Sequence, residues 1–140
     1  MGFNMIEHII KLLSDIHQES IYYSRFDLDL HKAREIIAIM MESKDYFIRT
    51  TGHGVIIASV AKPFWSNDLI AQDELVYVSK EGRGSGEGLK LIASFEKWAE
   101  KKGAKRIIVG DSMGISAKAI SIYRNNGYNK CAIVMAKELK

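Results

Sequence analysis

A chain of 140 residues, 47% hydrophobic and 26% charged, suits one folded domain with a sizeable core and excludes a largely disordered protein. Its formal net charge of +3 is compatible with a polyanionic ligand but too small to argue for nucleic acid. Cys131 is the sole cysteine, which excludes an intrachain disulfide, and no apolar run reaches the length of a membrane span.

Ile6, Ile9, Ile10, Leu13 and Ile16 recur at helical spacing and predict an amphipathic helix over 5–17. A polar and aromatic stretch, 19–26, follows. Asp29 then caps a second helix whose Leu30, Ala33, Ile37 and Met40 form one apolar stripe. Strands are expected at 46–50 and 55–61, joined through Thr51-Gly52-His53-Gly54 as a hairpin. The segment 63–68 is a loop, and 74–79 is a third β-rich run. A glycine-rich turn over 80–88 leads into a long helix, 89–102, which Gly103 ends. A short buried strand is predicted at 106–109, and a fourth helix from Ser116 to Gly127. A closing strand is expected over 128–139. There is no repeat or linker, so residues 1–140 read as a single α/β or α+β domain.

The glycine-rich turn carries the chemical signal. Gly82, Gly84, Gly86 and Gly88 stand between a strand and a helix. Glycine lets backbone N–H groups approach a ligand without obstruction by Cβ. The helix N-terminus adds unpaired donors and partial positive charge, and together they suit a phosphate or pyrophosphate. No window satisfies the Walker pattern. The dinucleotide fingerprint fails too, because its last glycine falls on Glu87 or Leu89.

Arg83-Gly84-Ser85-Gly86-Glu87-Gly88 instead resembles the Arg/Gln-x-x-Gly-x-Gly/Ala loop of the GNAT superfamily of N-acetyltransferases. The preceding Leu75-Val76-Tyr77-Val78 is similar to the strand that enters that loop. The segment from Ala119 through Tyr123 to Gly127-Tyr128 resembles the family's Ala-x-x-Leu-Tyr-x-x-x-Gly-Phe/Tyr stretch. The resemblance implies a mixed, mostly antiparallel central sheet flanked by about four helices, its first and last strands short or missing. It also implies acetyl-CoA as cosubstrate and transfer of an acetyl group to a primary amine of a small molecule or protein, by direct attack in a ternary complex.

Three positions depart from the family pattern: Lys80 stands where Pro is usual, Glu87 where a small or aliphatic residue is usual, and Ser116 where Asn is frequent. A carboxylate at Glu87 is compatible with a pyrophosphate only if its side chain turns away.

By the same resemblance Val76, Tyr77, Val78, Arg83, Gly84, Ser85, Gly86, Glu87, Gly88, Ser116 and Tyr123 form the cofactor half of the site. Tyr123 matches the tyrosine that serves the departing sulfur. Glu74 is the candidate base, on the expectation that it shares one strand face with Val76 and Val78, while Asp73 points the other way. Glu19, Tyr22, Tyr23 and Trp65 are candidates for the acceptor pocket. His8, His17, His31 and His53 show no ligand spacing, so no metal is expected. The expected partners are acetyl-CoA, an amine acceptor and a second copy of the chain that pairs an incomplete sheet edge, with neither membrane nor nucleic acid. Glu7 and His8 interrupt any signal-peptide core, and a cytoplasmic location is expected. Two other functions fit the loop: a non-catalytic acyl-CoA-binding module, and a toxin-like acetyltransferase of aminoacyl-tRNA.

Overall fold

A computed structural model describes residues 3–110 and 118–139. Helix α1 spans Met5–Glu19, and the side chain of its N-cap, Asn4, accepts a hydrogen bond from the Glu7 N–H at 3.2 Å. Helix α2 spans Leu30–Glu42, and Asp29 accepts from the Lys32 N–H at 3.0 Å. Each cap satisfies a donor that the first turn leaves orphaned. A guanidinium fork from Arg34 to both carboxylate oxygens of Glu7, at 2.7 and 3.1 Å, ties the two helices together.

Strands β1 (Tyr46–Thr50), β2 (Gly54–Ala61), β3 (Ile70–Val78) and β4 (Arg106–Ile108) form one sheet in that order. The first two pairings are antiparallel and the last is parallel. Helix α3 (Glu87–Lys102) begins at Gly86 and stops at Gly103, whose φ of +81° needs glycine. Helix α4 spans Lys118–Asn125. The Ser116 expected to start it lies outside the described residues.

Two cores sandwich the sheet. On one face α1 and α2 bury Ile9, Ile16 and Ile37 against Val55, Ile57, Leu75 and Tyr77. On the other, α3 and α4 bury Leu91, Phe95, Ala99 and Tyr123 against Ile56, Ala58, Val60 and Ala71. Leu91, Phe95 and Ala99 recur at i, i+4 and i+8, the stripe of a helix with one buried face. Trp98 stacks on Phe47 with ring centroids 5.4 Å apart.

Three expectations need correction. Strand β3 begins at Ile70 rather than 74, because the polar Gln72 and Asp73 are held in the ladder opposite Ser59 and Ala58 of β2. Strand β4 is half-exposed rather than buried, with nothing paired beyond it among the described residues. The segment 128–139 forms no strand. Ile133, Val134 and Met135 are exposed there, because β-prone residues form a strand only where a partner edge satisfies their backbone.

Candidate active site

The decisive local feature is a bulge in β3. Leu75 faces Ile57, yet the next pair along is Asp73 with Ala58, so Glu74 is an extra residue. The insertion inverts the alternation of side chains. Leu75 and Tyr77 join the α1–α2 core, whereas Ala71 joins the α3–α4 core. Asp73, opposite Ala58, therefore shares the α3–α4 face with Val76 and Val78. Glu74 turns to the other face, where the Ser59 hydroxyl donates to it at 2.8 Å. The expected shared face of Glu74, Val76 and Val78 is thus corrected, and so is the expectation that Asp73 points away. No composition signal marks the bulge, which exists only in the pairing with β2.

Just beyond the bulge the sheet forks. Strands β3 and β4 pair only from Ile70↔Arg106 to Gln72↔Ile108. Among the described residues, the edge of 73–78 that would face β4 has no strand partner. Asp73 sits at the apex of this fork, half-buried, and one of its carboxylate oxygens accepts from the Gly110 N–H at 3.4 Å. Burial pushes its carboxyl up to about 6, against the smaller opposing effect of the Gly110 bond.

At the far end of β3 the chain passes through a 3-10 turn, Lys80–Gly82, into the loop. Gly84 and Gly86 have φ of +86° and +85°, and a Cβ built on either would meet nothing within 4 Å. The Ser85 N–H donates to the Gly82 carbonyl, and the Lys90 N–H to that of Gly86. Among the described residues, the N–H groups of Gly84, Gly86, Gly88 and Leu89 have no acceptor within the chain. An open face of free donors at the start of a 16-residue helix is suited to a pyrophosphate.

Glu87 does not spoil this cradle. Its carboxylate turns back over the hairpin between β1 and β2, where the His53 N–H donates at 2.8 Å and His53 Nδ1 lies 3.0 Å away. The Ser85 hydroxyl donates to it at 2.9 Å. The Thr51 hydroxyl, then the His53 N–H, imidazole and Ser85, hold its carboxyl down to about 2 against the pull of burial. Gly82 permits this approach, since a Cβ there would stand 2.4 Å from the His53 Cβ.

Arg83 braces the loop from the other side. Its Nε donates to the Val78 carbonyl at 3.1 Å, and Nη2 donates to Glu19 at 2.7 Å. The Tyr77 hydroxyl donates to the same Glu19 oxygen at 2.8 Å. The Arg83 hydrogen bond holds the Glu19 carboxyl below its usual range, against burial, and burial together with Glu19 pushes the Tyr77 phenol up.

The four acceptor candidates do not converge. Glu19 lies at the loop end of β3, through Tyr77 and Arg83. Trp65, 72% exposed, lies in the loop before Ile70, about 20 Å away along the strand. Tyr22 is exposed, while Tyr23 packs on the α1–α2 core and lines a cavity of about 280 Å³ with Leu13, His17 and Phe26. Tyr123 is buried in the α3–α4 core with its ring 5.6 Å from that of Tyr128. Asp73 is the residue whose facing sequence reasoning misplaced.

A forked sheet, a bulge at its apex and an anion cradle at the start of the following helix define an acyl-CoA-binding fold. A family model described as Acetyltransferase (GNAT) family matches residues 6–128, and the chain belongs to that family. It is an N-acetyltransferase that uses acetyl-CoA. No curated protein sequence matches the chain. Among solved structures it is similar to a putative acetyl transferase from Pyrococcus furiosus (26% identity, 96% of this chain and 94% of that one covered, TM-score 0.67). It also shares its fold with an aminoglycoside acetyltransferase from an uncultured soil metagenomic sample (18% identity, 98% and 93% covered, TM-score 0.69). A further fold match is AAC(6')-Iy, solved in complex with a CoA-linked bisubstrate analogue (16% identity, 100% and 95% covered, TM-score 0.71).

Proposed function

We propose that this enzyme acetylates a primary amine of a small molecule, or of a protein, by direct attack in a ternary complex. The observation that carries the reading is the edge of β3 that has no strand partner among the described residues, running from the fork apex to the glycine cradle. Free N–H groups of Gly84, Gly86, Gly88 and Leu89 hold the pyrophosphate, with Arg83 and Ser85 fixing the loop from behind. The pantetheine arm lies along Val76, Tyr77 and Val78, whose backbone supplies the hydrogen bonds that β4 does not take up.

The acceptor amine enters from the fork, with Tyr22 and Trp65 as candidate contacts at its margins and Glu19 and Tyr23 shaping the α1 side. Tyr123 gives a proton to the departing sulfur; Ser116, the other expected cofactor contact, lies outside the described residues. We also propose a homodimer, supported by the outer edge of β4, which has no strand partner among the described residues, and by the exposed apolar residues at 133–135. A cytoplasmic location completes this reading. No helix among the described residues is long and apolar enough to cross a membrane.

Thermal-shift titration with acetyl-CoA and with CoA tests the cofactor half, because ligand bound to the native state raises Tm as its concentration passes Kd. A dose-dependent rise supports the reading, and no shift at millimolar ligand overturns it. An acceptor screen on the same sample begins with aminoglycosides, on the strength of the fold matches. Light scattering at micromolar concentration tests the dimer, and a monomeric mass removes it.

A further inference from the structure

We propose that Glu19, the last residue of α1, is a positioning residue for the cofactor loop: through Arg83 it holds the glycine turn in the shape that receives the pyrophosphate. The inference rests on the pyrophosphate site proposed above and gives Glu19, from a distant helix, a part in the cofactor half.

The loop needs such a hold. Gly84 and Gly86 lie at φ of +86° and +85°, and a Cβ built on either would meet no atom within 4 Å, so side-chain packing does not fix their backbone. A free glycine turn loses more conformational freedom on binding than other residues do. Lys80 stands where the family pattern has Pro, so the entry to the turn lacks the stiffness of a proline ring. Two side chains supply the hold instead. Glu87 pins the exit of the turn to the β1–β2 hairpin. Arg83 pins the entry, with its Nε on the Val78 carbonyl and its Nη2 on Glu19. These pins bracket Gly84-Ser85-Gly86, so a ligand meets a loop that is already ordered.

Glu19 decides where Arg83 points. The two residues stand 64 positions apart in sequence, yet their side chains meet at 2.7 Å with Glu19 only 14% exposed. The same Glu19 oxygen accepts from the buried Tyr77 hydroxyl at 2.8 Å, and the guanidinium lies over the Tyr77 ring, 5.8 Å from its centroid. Glu19, Tyr77 and Arg83 therefore form a closed triangle that restricts the guanidinium to one orientation. The Arg83 hydrogen bond, with those of Tyr77 and the charge of Lys80, holds the Glu19 carboxyl below its usual range against burial, so the pair is ionised at neutral pH. Glu81 lies within electrostatic reach of Arg83, and Asp15 within reach of Tyr77. A bare carboxylate would repel a pyrophosphate. Paired with Arg83 it presents no net charge, and the ordering of the loop is the effect that remains.

The experiment measures the Kd of CoA by calorimetric titration in the wild type, Glu19→Gln, Arg83→Gln and the double variant. Glu19→Gln keeps the shape of the side chain and removes its charge, and Kd rises about 10-fold. Arg83→Gln weakens CoA by at least as much. The double variant binds no more weakly than Arg83→Gln alone, because Glu19 acts through Arg83. Losses that multiply in the double variant overturn the proposal. So does a Kd in Glu19→Gln equal to or below that of the wild type, a fall being the sign of plain repulsion. The double variant leaves no unpaired charge in the triangle, so it carries the test where a single variant does not fold, and a wild-type Kd there overturns the proposal too.

Hydrogen exchange of the ligand-free protein is the second readout. The Ser85 N–H is bonded to the Gly82 carbonyl and the Lys90 N–H to that of Gly86. Both exchange about 10-fold faster in Glu19→Gln, while the amides of the α3 core stripe keep their wild-type rates. Unchanged exchange at Ser85 and Lys90 overturns the proposal, and so does loss of protection throughout the chain, which marks a general scaffold role. A wild type that does not bind CoA overturns the pyrophosphate site itself. Wild-type binding with unaffected variants removes only the role of Glu19.

Discussion

Glu87 and His53 are joined twice, through the His53 backbone N–H at 2.8 Å and its imidazole Nδ1 at 3.0 Å, so the start of α3 is latched to the β1–β2 hairpin. The latch removes a carboxylate from the loop proposed to hold a pyrophosphate, and it uses that carboxylate to fix the loop in place. Glu87→Ala is expected to lower stability by about 1 to 2 kcal/mol at neutral pH. Because the folded carboxyl is held down to about 2, below its ordinary value of 4.5, its contribution is complete above pH 4.5 and is lost as pH falls toward 2. Urea melts of wild type and Glu87→Gln across that range check it, since the Gln variant lacks this part of the acid decline.

Gly82 and Gly84 separate two reasons for glycine in one loop. Gly82→Ala forces a Cβ to within 2.4 Å of the His53 Cβ, so hairpin and loop must move apart. A cost of about 1 to 3 kcal/mol and weaker acetyl-CoA binding are expected. Gly84→Ala meets no atom but is strained by its φ of +86°, at a cost of about 1 kcal/mol. Calorimetric titration with acetyl-CoA should show the larger loss of affinity for Gly82→Ala.

Tyr123→Phe removes a hydroxyl and leaves the ring that fills the α3–α4 core. Turnover is expected to fall by about 100-fold while the acetyl-CoA thermal shift persists. Steady-state kinetics with an unchanged kcat would remove Tyr123 from the chemistry and leave it a packing residue.

Phe95 is fully buried and contacts Trp98, with ring centroids 6.4 Å apart. Phe95→Ala is expected to cost about 3 to 5 kcal/mol. Denaturant melts check the size, and a loss under 1 kcal/mol would show that the α3 face is not the packed core described.

Features set by neighbours in sequence were readable from the residues alone. The Asp29–Lys32 cap spans three residues, the α3 stripe repeats every turn, and the Gly103 stop follows directly on the helix it ends. The glycine-rich turn between β3 and α3 was readable for the same reason, since its residues all belong to one short loop.

Tertiary structure decided the rest. Glu19 meets Arg83 across 64 positions, and Glu87 meets His53 across 34, so neither contact has a local signal. The bulge at Glu74 arises only when β3 takes its register from β2, and that single extra residue exchanges Glu74 for Asp73 at the apex of the fork. The run 128–139 carries strand-forming residues, but a strand is a relation between two edges. Side-chain periods follow from one chain segment, whereas register, pairing and the facing of a carboxylate are fixed only when distant segments meet.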